Sequence, residues 1–201
     1  MRLLALALIA SPLIASAATP NLLVNGSFED NAIANGSWSN RSSLNGWTAG
    51  NLGVELRNNV SGTALDGKNF VELDTTGNSW ISQSFATVAG QTYQLSFAYA
   101  QRPDQRGTAS NGITWSAGNI GATLVGQDAS TAWTTVQTQF VATGSSTTLK
   151  FAAAGNSDSF GTSLDKVSVS AVPEPESYAL MLAGLAAVSF IARRRGQRKA
   201  I

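Results

Sequence analysis

The chain has 201 residues, a formal net charge of +1, and neither cysteine nor histidine. That length suits one ordinary domain, and the missing residue types exclude disulfides, thiol catalysis, Cys-based zinc sites and every Ser-His-Asp or Cys-His mechanism. The small net charge hides an asymmetry: Arg193, Arg194, Arg195, Arg198 and Lys199 crowd the C-terminus, while residues 18–171 hold 7 Lys+Arg against 10 Asp+Glu, about −3, a body unsuited to nucleic acid.

In chain order, Met1-Arg2 and the apolar run LLALALIASPLIASAA come first. A positive start, an apolar stretch and the small-x-small Ala15-Ser16-Ala17 make residues 1–17 a signal peptide, with cleavage after Ala17 or Ala18, so the chain is exported. Residues 18–171 then show strand-like alternation and no helical period. TYQLSFAYA is the clearest run, with Tyr93, Leu95, Phe97 and Tyr99 on one face and Gln94, Ser96, Ala98 and Ala100 on the other. Similar segments are 69–74, 80–88, 112–118, 133–143, 147–154 and 164–172, with weaker ones at 22–28 and 53–57. Turn signals such as Asp66-Gly67, Gly77-Asn78 and Gly155-Asn156 separate them. Eight or nine short strands with frequent turns predict an all-β chain folded as a sandwich of two antiparallel sheets. The N-x-S sequences at Asn25, Asn35, Asn40 and Asn59 read as turn chemistry.

The C-terminal segment 172–199 has three parts in order: Pro173-Glu174-Pro175, an apolar stretch over 178–192, and a basic end over 193–199. The apolar stretch is expected as a transmembrane helix. Its 15 residues span about 22 Å at 1.5 Å each, short of the roughly 30 Å hydrocarbon core. Arg193, Arg194 and Arg195 act as a stop and hold that end in the cytoplasm, leaving the body outside. This tail resembles the PEP-CTERM sorting signal of Gram-negative bacteria that make exopolysaccharide. The resemblance implies that Pro173, Glu174 and Pro175 are recognised by an exosortase, a membrane-embedded cysteine transpeptidase. It also implies transient anchoring in the inner membrane before sorting to the cell surface or extracellular matrix.

The body, through NLLVNGSFED, Gly46-Trp47, DGKNFVELD, ISQSFATVAGQTYQLSFAYAQRP, Trp133 and GTSLDKVSVS, resembles the galactose-binding-like jelly rolls. More narrowly, it is similar to a domain of unknown function first noted in plant cell-wall proteins. The resemblance implies a jelly-roll β-sandwich that binds polysaccharide, with Trp47 and Trp133 in its core. It also implies a possible structural Ca2+ held by Glu29 after the first strand and Asp165 before the last. Lys166 stands where many such relatives carry Asp or Asn.

Sugar recognition combines aromatic faces for the C–H patches of a pyranose with polar side chains for its hydroxyls. Trp38, in the polar loop NGSWSNRSS, is the expected platform, with Arg102 and Asp104, in the loop QRPDQRGTASN, as hydroxyl contacts. Trp80 and Trp115 are read as packing. A glycosidase needs two carboxylates, and Glu55, Glu72 and Asp74 are the alternative candidates. Alternation with Val71 and Leu73 puts Glu72 and Asp74 on an outward strand face. The expectation is a non-catalytic polysaccharide-binding surface protein. The alternatives are a structural matrix component without a sugar site and a glycoside hydrolase.

Overall fold

A computed structural model describes residues 19–125, 130–173 and 175–198. Twelve strands alternate along the chain: β1 (Ser37–Arg41), β2 (Ser43–Leu44), β3 (Trp47–Ala49), β4 (Val54–Asn58), β5 (Asn69–Glu72), β6 (Trp80–Ala86), β7 (Thr92–Ala100), β8 (Ile113–Ala117), β9 (Ile120–Leu124), β10 (Thr134–Val141), β11 (Ser146–Ala153) and β12 (Ser163–Ala171). They form two six-stranded antiparallel sheets, ordered β1-β4-β5-β12-β7-β10 and β2-β3-β6-β11-β8-β9. The first is called the front sheet below and the second the back sheet. Neighbours in space are mostly distant in sequence, as a jelly-roll sandwich requires.

The period-2 pattern is what builds the core. Tyr93, Leu95 and Phe97 of β7 face inward against Ile81 and Phe85 of β6 and Leu149 and Phe151 of β11, all buried. A run of aromatic contacts crosses the interior. Phe28 lies 5.8 Å from Trp47, Trp47 6.4 Å from Phe151, and Phe151 4.9 Å from Phe97.

Every strand segment expected from alternation forms, except 22–28. There Asn25 (φ 54°) and Phe28 (φ 62°) turn the chain left-handed, which no strand sustains. The segment still packs, because Leu23 and Phe28 are buried and Gly26 O accepts from Val167 N at 2.8 Å. Gly26 lies so close to β12 that an added Cβ would meet Val167 O at 2.0 Å. Strands β1, β2, β3 and β9 are too short, or too rich in Ser, Thr, Asn and Gly, to stand out in sequence. Asn25 and Asn59 are turn residues with positive φ, whereas Asn40 lies inside β1.

Strand β12 carries a bulge between Asp165 and Ser168, with Lys166 at φ 53°. It then runs straight into the tail. Val172 N donates to Thr92 O at 2.9 Å, so Pro173 follows with no linker. A 24-residue helix, α1 (Pro175–Arg198), begins on a proline, whose missing N–H is no loss at a helix start. Among the described residues no helix is long and apolar enough to cross a membrane. The apolar stretch expected as a span, 178–192, lies within this helix. The helix continues past its apolar stretch into Arg193, Arg194 and Arg195, and the stretch itself is too short. Ala17, Ala18 and Glu174 lie outside the described residues.

Candidate functional site

Alternation sends Trp38 and Asn40 of β1, Glu55 and Arg57 of β4, and Phe70 and Glu72 of β5 to the outer side of the front sheet. The register aligns them in two rows. Trp38 pairs with Arg57 and Arg57 with Phe70, while Asn40 pairs with Glu55, Glu55 with Glu72 and Glu72 with Ser163. Most outer sheet faces meet water. This one is covered by loops, so Phe70 and Glu72 are fully buried and Arg57 nearly so. Ala98 and Ala100 on the same side of β7 are buried too, contrary to the simple alternation.

Between those loops and the sheet edge opens a cleft of about 420 Å³. Trp38 is its exposed wall, at 54 % of full exposure, and Phe160 also lines it. Asn40, Ser61, Thr75, Thr76 and Ser159 supply amide and hydroxyl groups, and Glu55, Arg57 and Arg102 form its charged floor. A smaller hollow of about 160 Å³ lies further along the same face, bounded by Phe70, Pro103, Trp133 and Ser163.

The floor is a chain of ion pairs. Arg57 Nη2 lies 2.5 Å from Glu55 Oε2, and Arg57 Nη1 lies 2.7 Å from Glu72 Oε2. Arg102 Nη1 donates to Glu72 Oε1 at 3.0 Å, and Arg102 Nε to Asp104 Oδ1 at 2.7 Å. Gly161 N adds a bond to Glu72 Oε1 at 3.0 Å, and the Arg102 guanidinium stacks 4.7 Å above the Phe160 ring. Arg102 thus ties the loop of the short 3-10 helix (Pro103–Gln105) and the 157–161 loop to the sheet. Burial pushes the Glu72 carboxyl up to about 7, against the pull of Arg57 and Arg102. Burial also raises Asp74, whose Oδ2 accepts from Asp158 N.

Of the expected sugar contacts, Trp38 and Arg102 meet in this cleft, although Trp38 lies on an edge strand and not in a loop. Asp104 holds Arg102 from the loop side. The expectation that Glu72 and Asp74 face solvent is corrected: both are fully buried, because the loops cover this end of the sheet. Arg57, which engages Glu55 and Glu72 at once, was missed. Its signal was three charged residues, Glu55, Arg57 and Glu72, on one face of two strands. Trp47 is core as expected, and Trp115 is buried. Trp133 is only half-buried: it stands edge-on to Phe70 at 6.1 Å and donates to Thr63 O. Trp80 lies half-buried on the back sheet under Lys150 Nζ, 4.6 Å from its ring.

Glu29 and Asp165 converge on one loop from two sides, but as acceptors of backbone N–H groups. Glu29 Oε1 accepts from Lys68 N (2.7 Å) and Asn69 N (2.6 Å). Asp165 Oδ2 accepts from Leu65 N (2.7 Å) and Asp66 N (2.8 Å), and Oδ1 from Lys166 N (2.6 Å). Burial pushes Asp165 up to about 6, against those N–H groups. Calcium takes six to eight oxygens, and a loop presenting N–H groups is the wrong polarity for it. Among the described residues no three acidic side chains gather around a common point. As placed, the two carboxylates act as caps of the 65–69 loop.

A family model described as a protein of unknown function, DUF642, matches residues 21–170, and the PEP-CTERM protein-sorting motif matches residues 171–195. No curated protein matches. Among solved structures, TmCBM61 in complex with β-1,4-galactotriose is 13 % identical, with a TM-score of 0.51 over 77 % of this chain and all of that one. A family 16 carbohydrate-binding module is 18 % identical, with a TM-score of 0.49 over 74 % of this chain and 99 % of that one. The first likeness shows a shared jelly-roll fold.

Proposed function

This chain belongs to the DUF642 family and ends in a PEP-CTERM sorting motif, and we propose that it is an exported, non-catalytic polysaccharide-binding protein whose ligand lies in the Trp38 cleft. The observation that carries this reading is Trp38. A tryptophan more than half exposed, facing a hollow lined by hydroxyl and amide side chains, offers what a pyranose needs: a flat face for its C–H patch and partners for its hydroxyls. Exosortase is the processing partner, the inner membrane a transient one, and the cell surface or extracellular matrix the destination. Strand β12 joins the two activities. It starts beside the hollow at Ser163 and delivers the chain to Pro173 roughly 30 Å away, at 3.3 Å per residue. A domain attached through its tail therefore holds the cleft away from the attachment point.

The hydrolase alternative is disfavoured by the same geometry. Both oxygens of Glu72 are engaged by Arg57, Arg102 and Gly161 N, and the side chain is sealed from the cleft, so it has no route to a glycosidic oxygen. The test is binding of the full-length chain, in detergent micelles, to the exopolysaccharide of the producing organism. β-1,4-Galactan oligosaccharides serve as a first defined probe. Saturable binding, competed by the free glycan and lost in Trp38→Ala, is expected. Absence of binding leaves a structural matrix component.

A further inference from the structure

We infer that the cleft selects neutral glycans and rejects uronic-acid polymers, because its guanidinium groups are already paired with carboxylates. This inference rests on the glycan-binding reading above and names the ligand class of the same site. An arginine-lined cleft ordinarily suggests an anion, since the guanidinium fork matches a carboxylate. Here both arginines already have their charge matched by carboxylates. Arg57 is held by Glu55 and Glu72, and Arg102 by Glu72 and Asp104. Two cations and three carboxylates sum to −1 with every group ionised, and to zero with Glu72 protonated. Neither of these states is positive. The other lining residues, Trp38, Asn40, Val60, Ser61, Thr75, Thr76, Ser159 and Phe160, are uncharged.

The carboxylate at the cleft floor makes the discrimination chemical as well as electrostatic. Glu55 faces the hollow, and a sugar hydroxyl can donate a hydrogen bond to it. A uronate carboxylate has no proton to donate there and would meet like charge in a partly desolvated site, an arrangement that costs several kcal/mol. Trp38 adds a surface for C–H groups that carries no charge preference of its own towards an anion. The domain body as a whole, at about −3 over residues 18–171, opposes anionic polymers in the same direction.

The experiment sets the full-length chain in detergent micelles against matched-length neutral oligosaccharides (galactan, glucan, mannan) and uronic-acid oligosaccharides (polygalacturonate, alginate), at low and high salt. Neutral binding that depends on Trp38 and barely responds to salt is expected. Removing one carboxylate should shift the charge balance by one unit towards positive. Asp104→Asn, at an exposed loop position, and Glu55→Gln, at the floor, each free one guanidinium contact. Each should raise uronate binding by on the order of tenfold, in a salt-sensitive manner. Trp38-dependent preference of the unaltered chain for uronates overturns this inference while leaving the glycan-binding reading in place. No binding to any glycan overturns both. Neutral binding with uronate binding unmoved in both variants overturns the role given to the carboxylates.

Discussion

The outer faces of the two sheets share the same alternation of apolar and polar residues, yet they meet different surroundings. On the back sheet the outward side chains are mostly hydroxyls at the surface: Ser84 bonds Thr148 across strands at 2.8 Å, and Thr114 bonds Thr123 at 2.9 Å, with Trp80 beneath Lys150 the large exception. On the front sheet the outward side chains of β4 and β5 are charged or aromatic and buried under loops. Burying a network of charges is no efficient route to stability, because desolvation offsets much of the attraction. The back face reads as a solvated wall. The front face spends stability on a shaped floor, and the candidate cleft lies there.

The largest break in this comparison comes from splitting the buried network. Arg57→Met leaves Glu55 and Glu72 facing each other across β4 and β5 without their cation, and is expected to cost about 3–5 kcal/mol. Lys150→Met on the back face, where the ammonium is exposed, should shift stability by no more than about 0.5 kcal/mol. Urea unfolding of both variants checks the contrast, and equal losses would refute it.

A pH series sharpens the same point. Glu72, faced by Arg57, Arg102 and Glu55, holds its proton up to about 7 when folded, while an unfolded glutamate releases it near 4.5. The folded state therefore binds the extra proton between these values. The stability contributed is full below about pH 4.5 and is lost as the pH rises through about 7, a change on the order of 2–3 kcal/mol. Thermal unfolding across that window should show the decline, and Glu72→Gln should flatten the larger part of it. An unchanged slope in the variant would place the titration elsewhere.

Binding provides a third contrast, between two tryptophans of unlike exposure. Trp38→Ala is expected to weaken glycan binding by about 2 kcal/mol, roughly 30-fold, as for an aromatic anchor. Trp80→Ala, on the back sheet beneath Lys150, should leave it unchanged. Titration calorimetry on both variants decides; a loss in Trp80→Ala alone would move the site to the other sheet.

How far the residues announced all this differs between the core and the site. The inner faces were legible, since Tyr93, Leu95 and Phe97, like Leu149 and Phe151, follow a period of two that only a half-buried strand requires. Trp38 and Arg102, singled out as an aromatic in a polar loop and an arginine in a loop, both line the cleft. The burial of Glu72 and Asp74 was not legible, because alternation says which face a side chain takes and nothing about what covers that face. The loops that cover it, near Ser61, Arg102 and Phe160, are separated by about 40 to 60 residues in sequence, and only the antiparallel pairing of β5, β12 and β7 brings them together. The segment 22–28 misled in the opposite way: its apolar spacing matched a strand, and two left-handed residues made it a packed turn.

The smallest expected effect concerns Glu29 and Asp165, where a cation and a hydrogen-bonded cap make opposite forecasts. As caps, the two carboxylates hold the 65–69 loop through four backbone N–H groups, so their contribution needs no ion. Glu29→Gln keeps one acceptor oxygen and loses the charge assistance, at a cost of about 1 kcal/mol. That cost should be the same in calcium and in EDTA, and the melting temperature of the unaltered chain should not move between the two. If calcium raises the melting temperature, and Glu29→Gln abolishes the rise, the loop must turn its N–H groups away and present carbonyls instead. The front sheet would then carry a second ion-dependent element beside its buried charge network.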